Sequence, residues 1–360
     1  MTVIKIVILA FCVLGALDWL AGNRLGFGKE FERGFSLFGA MALSMLGMLV
    51  LAPLLGVWLT PAFLAFYRLL GIDPSIIPAS LFANDMGGTV LSQSVAVSEE
   101  IGNYNAFIVS SMMGCVISFT IPFSLGLVPK ERHRELFFGL LCGIVTIPAG
   151  CLVAGLFCNV RFTLILINLI PLLIISVLLV LALCYFPAAC IKCFSVFGTV
   201  IKVMSLVGLL LALFTFLTGL TVSPHLGSFE EAALVCANAC VTLSGALPLM
   251  LLLSRLLSRP LGALGRRMGI NSISALSFLA SLVTNASTFG VARQMDRRGL
   301  VLNAAFAVSA SFAFGSHLAF TMAFSATYVL PMILGKVVAG VLAVILAMLL
   351  YKEKEEPTAA

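Results

Sequence analysis

The sequence has few charged residues and lacks the motifs of common enzyme classes. Aspartate, glutamate, lysine and arginine together make up 10% of the 360 residues, whereas hydrophobic residues make up 61%. So low a charged fraction excludes a water-soluble globular domain. The chain has no HExxH zinc motif, no GxGxxG dinucleotide motif and no phosphate-binding P-loop. The sequence therefore predicts neither an enzyme nor an ATP-driven pump, and it predicts no cofactor and no metal.

Long apolar segments dominate the chain, whose mean hydropathy is +1.16. A helix of about 20 apolar residues crosses the roughly 30 Å hydrocarbon core of a bilayer. By this measure we expect an all-α polytopic integral membrane protein with about nine transmembrane helices. The predicted spans are 3–20, 34–57, 104–127, 136–157, 161–186, 199–219, 232–253, 301–325 and a last span that ends near residue 350.

An offset of 198 residues aligns the two halves of the sequence. It pairs Gly47 with Gly245, Gly71 with Gly269, Asn105 with Asn303 and Ser118 with Ser316. A series of matches at one offset indicates an internal repeat. We therefore predict a first membrane repeat over 1–157, a connecting transmembrane helix within 158–198, a second repeat over 199–350 and a cytoplasmic tail over 351–360.

The distribution of basic residues predicts how the repeats are oriented. If 75–97 and 273–292 are re-entrant hairpins, 17 of the 21 lysine and arginine residues fall on one side of the membrane. If both segments cross the membrane, the bias disappears. Because cytoplasmic loops carry an excess of lysine and arginine, we expect two broken helical hairpins and inverted repeats. The N-terminus is then outside and the C-terminus inside.

The first hairpin, SLFANDMGGTVLSQS over 80–94, contains an acidic residue in the middle of an apolar segment. A carboxylate near the bilayer centre costs roughly 2.5–3.5 kcal/mol on insertion scales. Asp85 is therefore a candidate partner for a cationic substrate, a proton or a sodium ion, or else it caps a broken helix. Asn84, Gly87 and Gly88 are candidate sources of amide and backbone polar groups, although close helix packing also explains the glycines.

The second hairpin has a neutral polar cluster where the first has its acid. Thr284, Asn285, Ser287 and Thr288 can hydrogen-bond a ligand or satisfy the freed backbone at the hairpin tip. Broken segments of inverted repeats commonly meet near the bilayer midplane in secondary transporters. We therefore expect the tips at Asp85 and Asn285 to approach each other there.

Two further polar side chains lie in apolar spans. His317, preceded by Ser316, either titrates and couples transport to pH or bonds across helices as a neutral residue. Lys336 either extends to the interface or pairs with a buried carboxylate. Asn105 and Asn303 are expected to bond between helices.

Several long strings carry a resemblance to a known family. The strings are EFERGF (30–35), DMGG (85–88), GIVTIPAGC (143–151), RQMDRRG (293–299), NAAFAVSASFAFGSHLAF (303–320) and PMILGKVVAGV (331–341). They resemble EutH, the ethanolamine-utilisation membrane protein, over nearly the whole chain. The resemblance implies a permease for ethanolamine in the cytoplasmic membrane of bacteria. Two positions depart from the family pattern, because Ser316 stands where members often have an acid and Gln93 where they have a lysine.

The implied substrate fits the candidate residues. Ethanolamine at neutral pH is a small ammonium ion with a hydroxyl group, and a site with one net negative charge suits a monocation. We expect Asp85 to take the ammonium and Asn285, Thr284 or Ser287 to take the hydroxyl.

Two other functions remain open. One is an ion-coupled transporter of another small amine or polar metabolite, and the other is a non-transporting membrane receptor subunit; repeats of near-equal length favour transport. The partners expected are ethanolamine and the lipid bilayer but no nucleic acid, since the basic residues lie in short loops. A homo-oligomer is left open.

Overall fold

A computed structural model describes residues 3–352, and every regular element in that range is helical. Eight helical runs are long and apolar enough to cross a membrane. They are Val3–Leu20, Phe27–Leu70, Glu99–Leu127, Lys130–Leu156, Phe162–Tyr185, Pro187–Thr218, Phe229–Met268 and Ala326–Leu350. The prediction of an all-α polytopic membrane protein is confirmed. Most of the predicted tail, residues 353–360, lies outside the described residues.

The α-helices follow one another with short connections. Up to residue 185 they are α1 (Val3–Leu20), α2 (Phe27–Ser36), α3 (Phe38–Met41), α4 (Gly47–Leu70), α5 (Ile76–Leu81), α6 (Gly88–Val95), α7 (Glu99–Tyr104), α8 (Ile121–Leu127), α9 (His133–Leu156) and α10 (Phe162–Tyr185). Thereafter they are α11 (Pro187–Thr218), α12 (Phe229–Met268), α13 (Ser272–Val283), α14 (Asn285–Gly290), α15 (Arg297–Ala310), α16 (Ser316–Phe324) and α17 (Val329–Leu350). Segments Ala42–Leu46, Asn105–Gly114 and Val116–Thr120 are π-helical.

The continuous helix predicted over 301–325 is wrong, because the structure has two half-helices there, α15 and α16. Between them Phe312 adopts a φ of 63°. The freed backbone is satisfied by the end of α13, where the carbonyls of Ser281 and Leu282 accept bonds from the amides of Phe312 and Phe314 at 3.2 and 2.8 Å. Irregular backbone at membrane depth requires such internal partners. Because the partners come from a distant helix, hydropathy alone does not show the break.

Each predicted hairpin has its two ends tied together. The Asp73 carboxylate accepts bonds from the backbone amides of Val97 and Ser98 at 3.1 and 2.9 Å. In the second half, the Asp296 carboxylate accepts bonds from the Asn271 amide at 3.0 Å and from the Ser274 hydroxyl at 2.8 Å. Both segments therefore return to where they start. The placement of these hairpins relative to a membrane, and the inverted relation of the repeats, stay predictions.

The helices of one half pack against those of the other in matching positions. Gly47 leaves no room for a Cβ atom against the backbone of Ser205 and Leu209 on α11. Gly245 is pressed in the same way against Ile8 and Cys12 on α1. Small residues allow membrane helices to approach this closely. The two contacts correspond within one residue at the offset of 198.

The helices form two groups. We name α1 to α4 with α11 and α12 the paired-helix bundle, and α5 to α10 with α13 to α17 the hairpin bundle; the two are packed together through α16 on α12 and α6 on α4. Within residues 3–352, the hydrogen bonds and ion pairs all lie inside one bundle or the other, and none joins the two. The bundles meet through apolar contacts, such as those of Phe320 with the cluster around Cys236 and Leu243.

The predicted orientation has a direct test. Cysteine introduced at exposed Glu99, in a background without the ten native cysteines, should react with an impermeant thiol reagent added outside intact cells. Cysteine at exposed Arg293 should react only after the cells are opened. Reaction of both from the same side would contradict the inverted, re-entrant topology.

Candidate functional site

A cavity of about 210 Å³ lies between the two bundles. On the hairpin side it is lined by Ala83, Asp85, Met86, Cys115, Phe119, Phe312, Ser316 and His317, and on the other side by Ala40, Met41, Ser44 and Met45. A cavity holds one water molecule at about 10–15 Å³ by a similar measure. This cavity therefore accepts a small organic molecule.

Two glycines place Asp85 at the tip of the first hairpin. The chain reverses through a single 3-10 turn, Asn84–Met86, and Gly87 follows with a φ of 94°, which favours glycine. The Gly88 amide donates to the Ala83 carbonyl at 2.9 Å, and a Cβ atom on Gly88 would strike the same backbone. Both glycines thus shape the turn, and neither lines the cavity.

The Asp85 carboxylate faces the first turn of α16. Its Oδ1 lies 3.7 Å from Nε2 of His317, and the Ser316 side chain faces the same carboxylate. The positive end of a helix dipole stabilises a negative charge at this position. The Asp85 side chain is 14% exposed and lines the cavity, so its charge is available to a ligand there.

Lys336 is buried behind His317 rather than extended to the interface. It is 1% exposed, and its Nζ donates to the Ser111 carbonyl at 2.5 Å and lies 3.2 Å from Nδ1 of His317. An ammonium group can only donate, so beside a charged Lys336 a neutral His317 ring accepts at Nδ1 and carries its hydrogen on Nε2, toward Asp85. Lys336, His317 and Asp85 thus form a row. The predicted net negative charge of the site is balanced by this buried ammonium.

The Ser111 carbonyl that accepts from Lys336 belongs to an irregular stretch of helix. Ser111 lies in the π-helical segment Asn105–Gly114, where the regular α-helical hydrogen-bond ladder is interrupted. Segments of this kind are frequent at functional sites. Propensity does not reveal a π-helix, and so the sequence analysis did not place Ser111 at the site.

Two phenylalanines complete the cavity wall, and sequence analysis missed both. The rings of Phe119 and Phe312 meet edge to face at 5.5 Å, and Phe312 lies 5.1 Å from the His317 ring. An aromatic face within about 6 Å attracts a cation. The one available signal was the position of Phe312 between Ser311 and Gly315, two residues that favour a break in an apolar helix.

The remaining predicted residues of the first tip and the second tip lie outside the cavity. Asn84 is buried and donates to the Thr321 hydroxyl at 3.3 Å. Asn285 is also buried, donates to the Thr120 hydroxyl at 3.1 Å and accepts from Ser311. Thr120 and Ser311 adjoin Phe119 and Phe312 in the chain, so Asn285 stands behind the cavity wall and holds it.

Thr284 and Ser287 have other roles. The Thr284 hydroxyl caps α14 by accepting from the Ala286 amide at 3.3 Å. Ser287 lines a separate cavity of about 170 Å³, together with the ion-paired Glu30 and Arg33. The structure therefore brings together Asp85, Ser316, His317 and Lys336, and it separates them from Thr284 and Ser287.

A larger neighbouring cavity of about 490 Å³ shares two residues with the first. Met86 and Phe119 line both, and Ser195, Thr199 and Lys202 of α11 line the larger one. The side chains of Met86 and Phe119 are therefore the partition between them.

Comparisons with known proteins agree with one another. The family model described as "Ethanolamine utilisation protein, EutH" matches residues 1–350. A probable ethanolamine permease of Listeria monocytogenes is 38% identical over 91% of this chain and 88% of its own length. Similar proteins of the same name from Salmonella typhimurium and Escherichia coli are 39% and 38% identical, over 90% and 93% of this chain and 86% and 88% of their own lengths. No solved structure matches.

Proposed function

Because the chain belongs to the EutH ethanolamine-utilisation family, we propose that it is a permease that carries protonated ethanolamine across the bacterial cytoplasmic membrane. The relatives named above are described as probable ethanolamine permeases. The multi-pass helical fold is consistent with that role.

A buried carboxylate that faces a cavity of suitable size is the observation that carries the proposal. The ammonium group of ethanolamine needs a negative partner, and Asp85 supplies it from the hairpin tip. A hydrogen bond to a charged group contributes about 1.5–3 kcal/mol. The faces of Phe119 and Phe312 add an attraction that is independent of hydrogen bonding.

For the hydroxyl group of the substrate we propose other partners than the sequence alone predicted. Asn285, Thr284 and Ser287 do not line the cavity, whereas Ser316 and Ser44 do. Ser316 stands next to His317, and Ser44 stands on the opposite wall. Ethanolamine bound to Asp85 through its ammonium group therefore reaches one of these two hydroxyl groups.

The two side chains that separate the cavities indicate a route by which the substrate reaches the site. Met86 and Phe119 separate the site from the larger cavity beside α11. Flexible methionine and a phenylalanine ring can rotate without breaking a hydrogen bond. Movement of these side chains would connect the two cavities.

Counterflow in proteoliposomes tests the proposal. Vesicles that contain the purified protein and a high internal concentration of unlabelled ethanolamine should take up labelled ethanolamine faster than protein-free vesicles. Ethylamine, which keeps the ammonium group, should compete better than ethylene glycol, which lacks it. Binding of ethanolamine in detergent without any flux would instead indicate a receptor.

A further inference from the structure

The site contains one buried positive charge for its one buried negative charge. The titratable groups that face Lys336 are His317 on α16, Asp85 at the hairpin tip, Cys115 after the π-helical segment and Cys151 on α9. Of these, Asp85 supplies the negative charge. A neutral His317 therefore leaves Asp85 and Lys336 to balance each other.

Binding of a cationic substrate disturbs this balance. Ethanolammonium beside Asp85 adds a second positive charge to a region that is largely closed to water, where charges interact strongly. The site then carries one positive charge in excess unless a proton leaves. Lysine, in contrast to arginine, can give up its proton in a protein interior.

We propose that the site releases one proton for each ethanolammonium that it binds, and that this proton comes from Lys336 through His317. This inference rests on the proposed function. The N–H bond of Lys336 breaks, and its electron pair stays on Nζ. Nδ1 of His317 takes the proton, and Nε2 releases its own proton to water in the cavity.

The exchange also changes what His317 offers to a ligand. Before binding, Nδ1 accepts from Lys336 at 3.2 Å and the Nε2 hydrogen points toward Asp85, 3.7 Å away. Afterwards the Nδ1 hydrogen is donated to the uncharged Lys336 amine, and Nε2 becomes an acceptor. The substrate ammonium then has two acceptors on the cavity wall, the Asp85 carboxylate and Nε2.

Transport by this exchange is electroneutral. One cation moves in one direction and one proton moves in the other, so a full cycle carries no net charge. Uptake then responds to a pH difference across the membrane but not to the membrane potential. A permease that carried the cation alone would respond to the potential.

Labelled ethanolamine uptake into proteoliposomes distinguishes the two cases. Vesicles one pH unit more acidic inside than outside should accumulate ethanolamine about tenfold, since the substrate ratio follows the proton ratio by mass action, and they should do so faster than protein-free vesicles, which only the uncharged amine crosses. An inside-negative potassium diffusion potential at equal pH should produce no accumulation. Accumulation that follows the potential and ignores the pH difference would overturn the exchange but leave the permease. No uptake under any condition would contradict the proposed function itself.

Three variants identify the group that exchanges the proton. Lys336→Gln should make uptake respond to the potential, because it removes the exchangeable proton. Ser316→Asp should have the same effect, because it adds a balancing carboxylate beside His317. Lys336→Arg should fold and lose most uptake, since arginine keeps its charge. Lys5→Gln, at an exposed position on α1, is the control and should behave as the wild type. If folded Lys336→Gln and Ser316→Asp both remain driven by the pH difference, Lys336 is not the proton donor.

Discussion

The Asp85→Asn variant should insert and fold normally but lose most of its ethanolamine uptake. Asparagine keeps the shape and hydrogen-bonding capacity of the side chain and deletes its charge. The lost charge-assisted bond corresponds to about 1.5–3 kcal/mol, or roughly ten- to a hundredfold in affinity. The apparent affinity measured by uptake over a range of ethanolamine concentrations should weaken by that factor, at equal amounts of protein in the vesicles.

Two further variants make the Asp85 result interpretable. Asp85→Glu keeps the charge and moves it by one methylene, so it should retain part of the activity. Asp85→Asn combined with Lys336→Gln removes both buried charges; it should be at least as stable as the single variant and still bind poorly. Near-normal affinity in Asp85→Asn would show that the carboxylate serves only the local fold and would move the ammonium site elsewhere.

Gly47→Leu should prevent correct packing of α4 against α11 and abolish the folded protein. The Gly47 backbone is in direct contact with the backbone of Ser205 and Leu209, so any side chain separates the helices. Overpacking of a well-packed interior costs about 1–3 kcal/mol and occasionally more. A leucine against backbone atoms, which cannot rotate away, belongs at the upper end of that range. The yield of monodisperse protein in detergent measures the effect.

Gly39→Leu is the matched control. Gly39 lies two turns earlier in the same helical run, and no atom lies within 4 Å of a Cβ built there. The two variants add the same side chain to the same run of helices. Gly39→Leu should therefore give wild-type yield, and a loss of yield in both variants would show that the close contact at Gly47 is not the cause.

Sequence analysis identified those residues of the candidate site that are charged or polar within apolar segments. Asp85 and His317 are conspicuous because an acid and a histidine in apolar segments need a reason to be there. For Lys336, two outcomes remained open, since a lysine six residues inside a span can reach either the interface or a buried partner. The choice depends on the His317 ring and the Ser111 carbonyl, and neither is adjacent to Lys336 in the chain.

The features that sequence analysis missed are produced by contacts between distant segments. The break before α16 is held by carbonyls of α13, which is distant from it in the chain. In the sequence Phe119 and Phe312 look like ordinary core residues, and only the fold shows that both line a cavity. The proposed repeat predicts Asn285 at the second tip, and Asn285 does begin α14 directly after α13; a repeat does not say whether a tip faces the ligand or supports the wall.

The bonding across the boundary between the two bundles differs from the bonding inside each bundle. Hydrogen bonds and ion pairs lie within each bundle, and apolar side chains meet across the boundary. Directional bonds resist sliding because each one must break before the next can form, whereas dispersion contacts lose little when one methyl group replaces another. We therefore expect the protein to resist deformation inside each bundle more than a slide of one bundle along the other. Asp85, Ser316 and His317 all lie on the same side of the cavity, so a slide would carry these polar groups together past the wall formed by Met41 and Met45.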